Sequence, residues 1–540
     1  CRIATAQMRV IRDLPGDTLS KEFNECLQRY KLPEFDAAWG EIHRGIEKES
    51  LRVSPDGHIS LSSHPLALGS SLTNPFITTD FSESLLEFIT PAYSDIDECL
   101  KRMEDIHRFT LQNLENNEML WASSMPCPLG AWEDIPIAQY GSSNVGKLKT
   151  LYRHGLSNRY GRLMQIISGI HYNVSMPESF WQPYADMCGF KGKLKDFKTE
   201  KYLHLIRNFH RYSWLLIYLF GASPAACKCF VTGREHGLEQ LDDYTLYMPD
   251  ATCLRMGDLG YNSEAQKSLF VCYNELDAYV DCLREAMNTP YPEYEAIGQS
   301  IDGGHLQLNT NLLQLENEFY STIRPKRVVQ SGQRPSEALT QDGIEYIEVR
   351  ALDLNPYLPF GIDSKQIHFL DSFLLHCLLS ESPECHKQEF FEVADNLAKV
   401  VEHGRDPELC LNLESEPKKM RAWGNEILAE VDNAAALLDH IHDSTNYSNS
   451  LTAQSAKIAD SDLTPSGRIL KDMKESDLSF FEFSMQQSRK HRDDLQDNGM
   501  SEATVKMMTE TAAQSLKDQA DIESLDTVGF DEYLKNWNDA

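Results

Sequence analysis

Basic residues are in short supply. The 540-residue chain carries 51 Lys and Arg against 82 Asp and Glu, a formal net charge of −31. Such a surface repels phosphodiester backbones and anionic lipid, which argues against nucleic acid or membrane as a partner. It also sets a condition on any anionic substrate: metal cations are then the obvious means of offsetting local repulsion. Long apolar runs are missing as well. The longest, WLLIYLFGA at 214–222, falls far short of the about 20 residues that span a bilayer, and reads as a core helix. There are 13 cysteines but no CxxC and no zinc-ribbon spacing. Most are therefore expected as reduced, buried thiols of an intracellular protein, with a structural disulfide between distant cysteines left open. No repeat of about 20–50 residues is found, which removes the solenoid architectures. The first residue is Cys1 rather than Met, and the N-terminus is read as incomplete or processed.

What is present is ordinary for a globular chain: 41% apolar and 25% charged residues, enough for a large core. Helical periodicity marks residues 17–31 and 95–117, where Ile96, Leu100, Met103 and Ile106 share a face. Helices are also expected over 158–168, 200–220 and 264–287, and through most of the chain beyond 364. Strand-like pieces fall at 43–54, 59–62, 84–91, 169–176 and 343–354, and 304–319 begins as an alternating strand. Residues 443–467, rich in Ser, Thr, Asn and Asp, read as a loop or linker. Scattered strands separated by helices of varied length predict an α+β domain with a mostly antiparallel sheet.

The strands share a pattern. RGIEKESLR (44–52) aims Glu47 and Glu49 to one side, because strand residues two apart share a face. Such a pair is either solvated or held by something positive. LLEFIT (85–90) sets Glu87 among Leu and Phe, where a charge is costly without a partner. Asp80 stands at the turn before it. GIHYNVSM puts His171, Asn173 and Ser175 opposite Ile170, Tyr172 and Val174. GIEYIEVR puts Tyr346, Glu348 and Arg350 opposite Ile347 and Val349. Each could be a solvated amphipathic strand. If they lie in one sheet, their polar faces form a metal-filled trough, with Mg²⁺ taking carboxylate oxygens and shared with nucleotide phosphates.

One motif misleads. GSSNVGK (141–147) matches a phosphate-binding P-loop for seven positions, but Leu148 stands where Ser or Thr must hold magnesium. A polar turn is the better reading.

Taken together, RGIEKESLRV, HPLALGSSLTNPFITTDFSESLLEFITP, IAQYGSSNVGKLKTLYRHGLSNRYGRLMQIISGIHYNVSMP, YLFGASPA, LRMGDLGY, LQLNTNLLQLENEFYSTIRPKR and GIEYIEVRALDLNP resemble the bacterial type of the glutamate–cysteine ligase family. The match runs from about residue 40 to 360, in family order, and is weak before 40 and beyond 380. The resemblance implies a curved antiparallel funnel of the glutamine synthetase/guanido kinase type, with flanking helices. On it, residues 1–39 are an extension, 40–380 the catalytic domain and 381–540 a mainly helical C-terminal region. It implies a cytoplasmic enzyme that uses ATP to phosphorylate the γ-carboxylate of L-glutamate, which the amine of L-cysteine then attacks. This is the first step of glutathione synthesis, and glutathione is the expected feedback inhibitor. The cofactor implied is Mg²⁺, with Mn²⁺ as the alternative. By motif, the metal ligands are Glu47, Glu49, Asp80, Glu87, His171 and Glu348. The cysteine pocket falls on Tyr152, Leu156, Gln165, Tyr261 and Tyr320, with Arg255 as a carboxylate partner. Arg350 faces the transferred phosphoryl group, and Arg324, Lys326 and Arg327 are further nucleotide or phosphate contacts. Three competitors remain: a related ligase joining glutamate to another amine, an inactive metal-stabilised binding protein and a P-loop NTPase.

Overall fold

The computed structural model describes residues 29–31, 39, 41–127, 132–260, 263–329, 333–497 and 499–539. Its centre is a seven-stranded sheet. In chain order the strands are β1 (His43–Val53), β2 (Ile77–Thr79), β3 (Leu85–Ile89), β4 (Met119–Leu120), β5 (Gly169–Ser175), β6 (Ile323–Lys326) and β7 (Tyr346–Asp353). The spatial order is β6-β7-β5-β1-β3-β2, with β4 on the end of β1, and every pairing is antiparallel. The expected class, mixed helix and antiparallel sheet, is what forms.

Register puts the unlike halves of each strand on opposite faces. Ile46, Phe88, Ile170, Tyr172, Val174, Ile347 and Val349 all join one apolar core. Helices cover that back face: α1 (Ile96–Asn113), α3 (Leu194–Phe220) and α4 (Ser364–Leu379). Helix α1 starts where Asp95 caps the Glu98 amide, and it buries Met103 and Ile106 as the periodicity predicts. Residues 214–222 lie in the core at the end of α3. No described helix is long and apolar enough to cross a membrane. The back face also holds a buried polar set: Arg44 Nε donates to Asp371 Oδ2 at 2.7 Å, and Tyr172 Oη donates to Asp371 Oδ1 at 2.6 Å.

Helix α2 (Asn144–Tyr160) lies over the front face, and α5 (Lys387–His403) packs on α3 and borders the opening in front. Helices α6 (Met420–Ile441) and α7 (Asn446–Ala459) join the back core against α4, α8 (Phe480–Asp497) and α9 (Glu502–Ser524) lie against α1, and α10 (Phe530–Asp539) lies against α2. Several expectations need correction. The polar stretch 443–467 is mostly ordered helix rather than linker. Its Ser and Thr residues work as local hydrogen-bonding groups, as where Thr464 caps the Gly467 amide to start the helix Pro465–Ser476. The alternating run 304–319 is strand only at Gly304–His305. Its amides are taken instead by side chains such as Gln314, which accepts from Leu308. The helix expected over 264–287 narrows to Leu276–Asn288, preceded by one short turn. Residues 59–62 contribute a single bridge, Val53 to Ile59. The expected helix 17–31 lies almost wholly outside the described residues. One disulfide, Cys127–Cys227, joins cysteines 100 residues apart, and nine other described cysteines are free thiols.

The seventh-position mimic GSSNVGK becomes the start of α2. Ser143 caps the Gly146 amide, and Leu148 is buried among Leu151, Leu308 and Leu534. The exposed amides are not free for a phosphate. Ser142 N donates to Glu523 Oε1 at 2.7 Å and Asn144 N to Asp526 Oδ2 at 2.6 Å. Carboxylates from α9 and the turn that follows it occupy the anion-seeking helix start.

Candidate active site

The front face is where the four polar strand halves meet. Glu47 lies across from His171, Glu49 from Glu87, and Glu348 from Asn173 and Arg324. His171 Nδ1 is 3.1 Å from Glu47 Oε2 and 3.9 Å from Glu348 Oε1, and its Nε2 is 4.0 Å from Glu49 Oε1. Asn173 donates to the other Glu47 oxygen at 2.9 Å. One donor atom each from Glu47, Glu87 and His171 fit within 4.8 Å of one another. Oxygens and one imidazole at that separation suit a hard divalent cation.

The electrostatics ask for such a charge. Burial, reinforced by Asp80 nearby, pushes the Glu49 carboxyl up to about 8. Burial and the charges of Glu47, Asp80 and Glu49 push Glu87 well above the usual carboxylate range. Glu348 is the opposite case. Burial opposes its ionisation, but Lys326, Arg350, His171 and Arg324 together hold it well below the usual range. Lys326 Nζ lies 3.4 Å from Glu348 Oε1, and an Arg350 guanidinium nitrogen 3.2 Å from Oε2. The trough therefore has one end short of positive charge and one end supplied with it.

A cavity of about 500 Å³ opens in front, lined by His171, Arg255, Gln266, Tyr320 and Arg350 among others. Arg255 is set by Asp353: its Nε donates to Asp353 Oδ1 at 2.7 Å, and a terminal nitrogen reaches the Arg350 carbonyl at 3.2 Å. Gly169 makes this possible, since a Cβ there would stand 2.8 Å from the guanidinium. The Gly169 amide meanwhile donates to Glu49 Oε2 at 2.6 Å. Gln165 Nε2 donates to the Tyr320 hydroxyl at 3.1 Å, and the Tyr320 amide donates to Gln266 Oε1 at 2.9 Å. Tyr152 and Leu156 project from α2 into the same cluster as Tyr320.

The structure thus brings together Glu47, Glu49, Asp80, Glu87, His171, Glu348 and Arg350, and beside them Tyr152, Leu156, Gln165, Arg255 and Tyr320. Tyr261 lies outside the described residues. The basic trio divides. Lys326 faces the trough. Arg324 is buried in it but is held by the carbonyls of Asn317 and Phe319. Arg327 turns away to the carbonyls of Asp342 and Gly343 and is a structural clasp rather than a site residue. Sequence reasoning missed the supports: Asp353 under Arg255, and Glu318, which accepts from Arg159 at 3.0 Å and Tyr160 at 2.8 Å beneath the tyrosines. Asp353 sits between Leu352 and Leu354 in the run IEVRALDL, a carboxylate among apolar residues like Glu87, and that signal could have found it.

Sheet and trough together define a protein whose antiparallel sheet carries an acidic cleft with basic groups at one end. The sequence profile described as glutamate–cysteine ligase matches residues 27–400. A glutamate–cysteine ligase of Azotobacter vinelandii is 50% identical over 520 residues, covering 96% of this chain and 98% of that one. The Pseudomonas entomophila enzyme of the same name is 50% identical over 490 residues, 91% and 92% of the two chains. A solved glutamate–cysteine ligase of Francisella tularensis, in complex with AMP, superposes with a TM-score of 0.86 at 35% identity, over 92% of this chain and 98% of that one. The chain belongs to the glutamate–cysteine ligase family. It is an enzyme, a ligase of the first step of glutathione synthesis.

Proposed function

We propose that the trough and cavity join the γ-carboxylate of L-glutamate to the amine of L-cysteine, with ATP cleaved to ADP and phosphate through a γ-glutamyl phosphate. The observation that carries this is the convergence of Glu47, Glu87 and His171 within 4.8 Å, flanked by Arg350 beside Glu348. Glu47, Glu49, Glu87, His171 and Glu348 would hold Mg²⁺ or Mn²⁺, with Asp80 adjoining. A cation held by these residues would supply the positive charge that offsets and aligns the polyphosphate, which is most of what phosphoryl transfer requires.

The chain's own groups do the rest. Arg350 stabilises charge on the transferred phosphoryl group, and its orientation is kept by Glu348. Lys326 contributes a second positive charge at the same end. Arg255, fixed by Asp353, receives the carboxylate of the amine substrate. Tyr152, Leu156, Gln165 and Tyr320 shape the pocket for its side chain, with Tyr261 the remaining member of that set. Glutathione, which contains both substrate groups, is the expected competitor. We read the sheet as a funnel of the glutamine synthetase/guanido kinase type, residues 40–380 as the catalytic domain, the C-terminal helices as its buttress and the compartment as the cytoplasm.

ADP release with magnesium and glutamate, varying the amine, is the test. Cysteine should be preferred. Faster turnover with a different amine would move the enzyme to a sister acceptor class. Tyr320→Phe and Gln165→Ala should each raise KM for cysteine about 5-fold, the worth of roughly one hydrogen bond, with KM for ATP unchanged. Equal effects on both substrates would remove the acceptor pocket from these residues.

A further inference from the structure

A second cluster of ligand atoms lies outside the trough. The sulfurs of Cys127, Cys227 and Cys229 all fall within 4.8 Å of one another. Cys127 and Cys227 are buried and joined as a disulfide, their Cα atoms 5.4 Å apart. Cys229 is an exposed free thiol. It follows the short strand Ala225–Cys227, in the 3₁₀ turn Lys228–Val231 that returns its sulfur to the bridge. Packing pushes the Cys229 thiol up, and hydrogen bonds from the amides of Cys229 and Phe230 pull it back toward the thiolate. Opening the bridge turns this cluster into a chelate. The first step of glutathione synthesis runs among small thiols, and two of them suffice. One thiolate attacks a bridge sulfur and expels the other as a thiolate. A second releases the first as a small-molecule disulfide, leaving two protein thiols. Zinc–sulfur bonds of about 2.3 Å hold thiolates about 3.8 Å apart in a tetrahedron. The bridge sulfurs need only part to that separation to join Cys229 around one ion. Three thiolates select a soft closed-shell cation over Mg²⁺, and the exposed side leaves a fourth position for water or a small thiol.

We propose that Cys127, Cys227 and Cys229, once the bridge is reduced, bind Zn²⁺, so that disulfide and metal are alternative occupants of one site. Binding displaces the thiol protons, and the site is closed to metal while the bridge stands. Either occupant fastens the same two segments. Ser124, close to Cys127 in the chain, accepts the Leu354 amide at 2.8 Å, and Ser223, close to Cys227, donates to Asp353 Oδ2 at 2.6 Å. Both segments grip the end of β7, so the reduced, metal-free protein is the least firmly held of the three states.

The test uses the full chain, oxidised or reduced and freed of reductant, with Mg²⁺ in excess to satisfy carboxylate sites. Cd²⁺ reports thiolate ligation by its sulfur charge-transfer absorption, and Zn²⁺ is measured by displacing it. Reduced protein should give the absorption of three thiolates at one equivalent, and oxidised protein should lack it. Cys229→Ser keeps the bridge, so its oxidised form should melt like wild type. Its reduced form should bind Zn²⁺ at least about 10-fold more weakly, since losing even an outer support of a metal ligand costs that much. The melting temperature of wild type should fall on reduction and recover with Zn²⁺, and that of Cys229→Ser should fall and stay down. Cys188→Ser removes an exposed thiol elsewhere and should change nothing. Equal absorption from oxidised and reduced protein, Zn²⁺ binding undiminished in Cys229→Ser, or equal losses in Cys188→Ser overturn the site. Failure of Zn²⁺ to bind the reduced wild type overturns it as well. None of these readouts depends on turnover or on which amine is the acceptor.

Discussion

Strand β1 carries charge on both faces, Arg44 and Lys48 behind and Glu47 and Glu49 in front, and the two faces treat it differently. Behind the sheet, Arg44 meets Asp371 and Tyr172 donates to the same carboxylate, so that charge is matched, while Lys48 has only the Ser50 hydroxyl and burial pushes it down to about 7. In front, Glu47, Glu49 and Glu87 crowd one histidine, and burial with mutual repulsion lifts two of the three. Burying an unmatched charge is costly, and a fold under no other demand would match it or replace it. The Arg44–Asp371 pair is architecture; the crowded carboxylates in front are a charge that a bound cation would neutralise.

That contrast can be broken by experiment. The largest effect is expected in front: Arg350→Ala or Glu348→Gln should cut turnover by at least about 100-fold in the ADP-release assay, with the melting curve little changed. Wild-type turnover in either would remove these residues from the chemistry. Behind the sheet the order reverses. Asp371→Asn leaves Arg44 buried without its partner, and should cost about 3–5 kcal/mol in denaturant unfolding while KM values stay near wild type. Next, Glu49→Gln should leave the metal-free protein equally stable or more so, because it relieves repulsion, and should weaken Mn²⁺ binding by more than ~10-fold in titration. A loss of metal-free stability like that of Asp371→Asn would erase the distinction between the faces.

The smallest effect concerns buried imidazoles away from the trough. Burial pushes His64 and His376 down to about 4 and His204 to about 3. Unfolded, each takes a proton near about 6.5. The unfolded chain therefore binds more protons below that pH, and stability should decline as pH falls from about 6.5 toward 4, with no contribution from these groups above it. Melting temperatures flat across that interval would refute the assignment.

Strand faces were legible because alternation has a period of two and each strand announces which half is polar. Their meeting was not legible from any one strand: Glu47 opposite His171 depends on register between segments more than 120 residues apart, and the family resemblance supplied it. Glu318 and Gln266 stayed hidden because supports of this kind hold other residues of the chain rather than substrate, and nothing in their spacing says so. The polar run 443–467 was misread for a related reason. Ser and Thr look the same in a loop as at a helix cap, and only the neighbouring amides decide which they are.

The carboxylates of Glu523 and Asp526 seal the first amides of α2, the helix that carries Tyr152 and Leu156. A ribosome delivers those amides some 380 residues before their partners. The nascent polypeptide must therefore wait with that helix end untied, and the reacting pocket gains this brace only once residues 523–526 have been made.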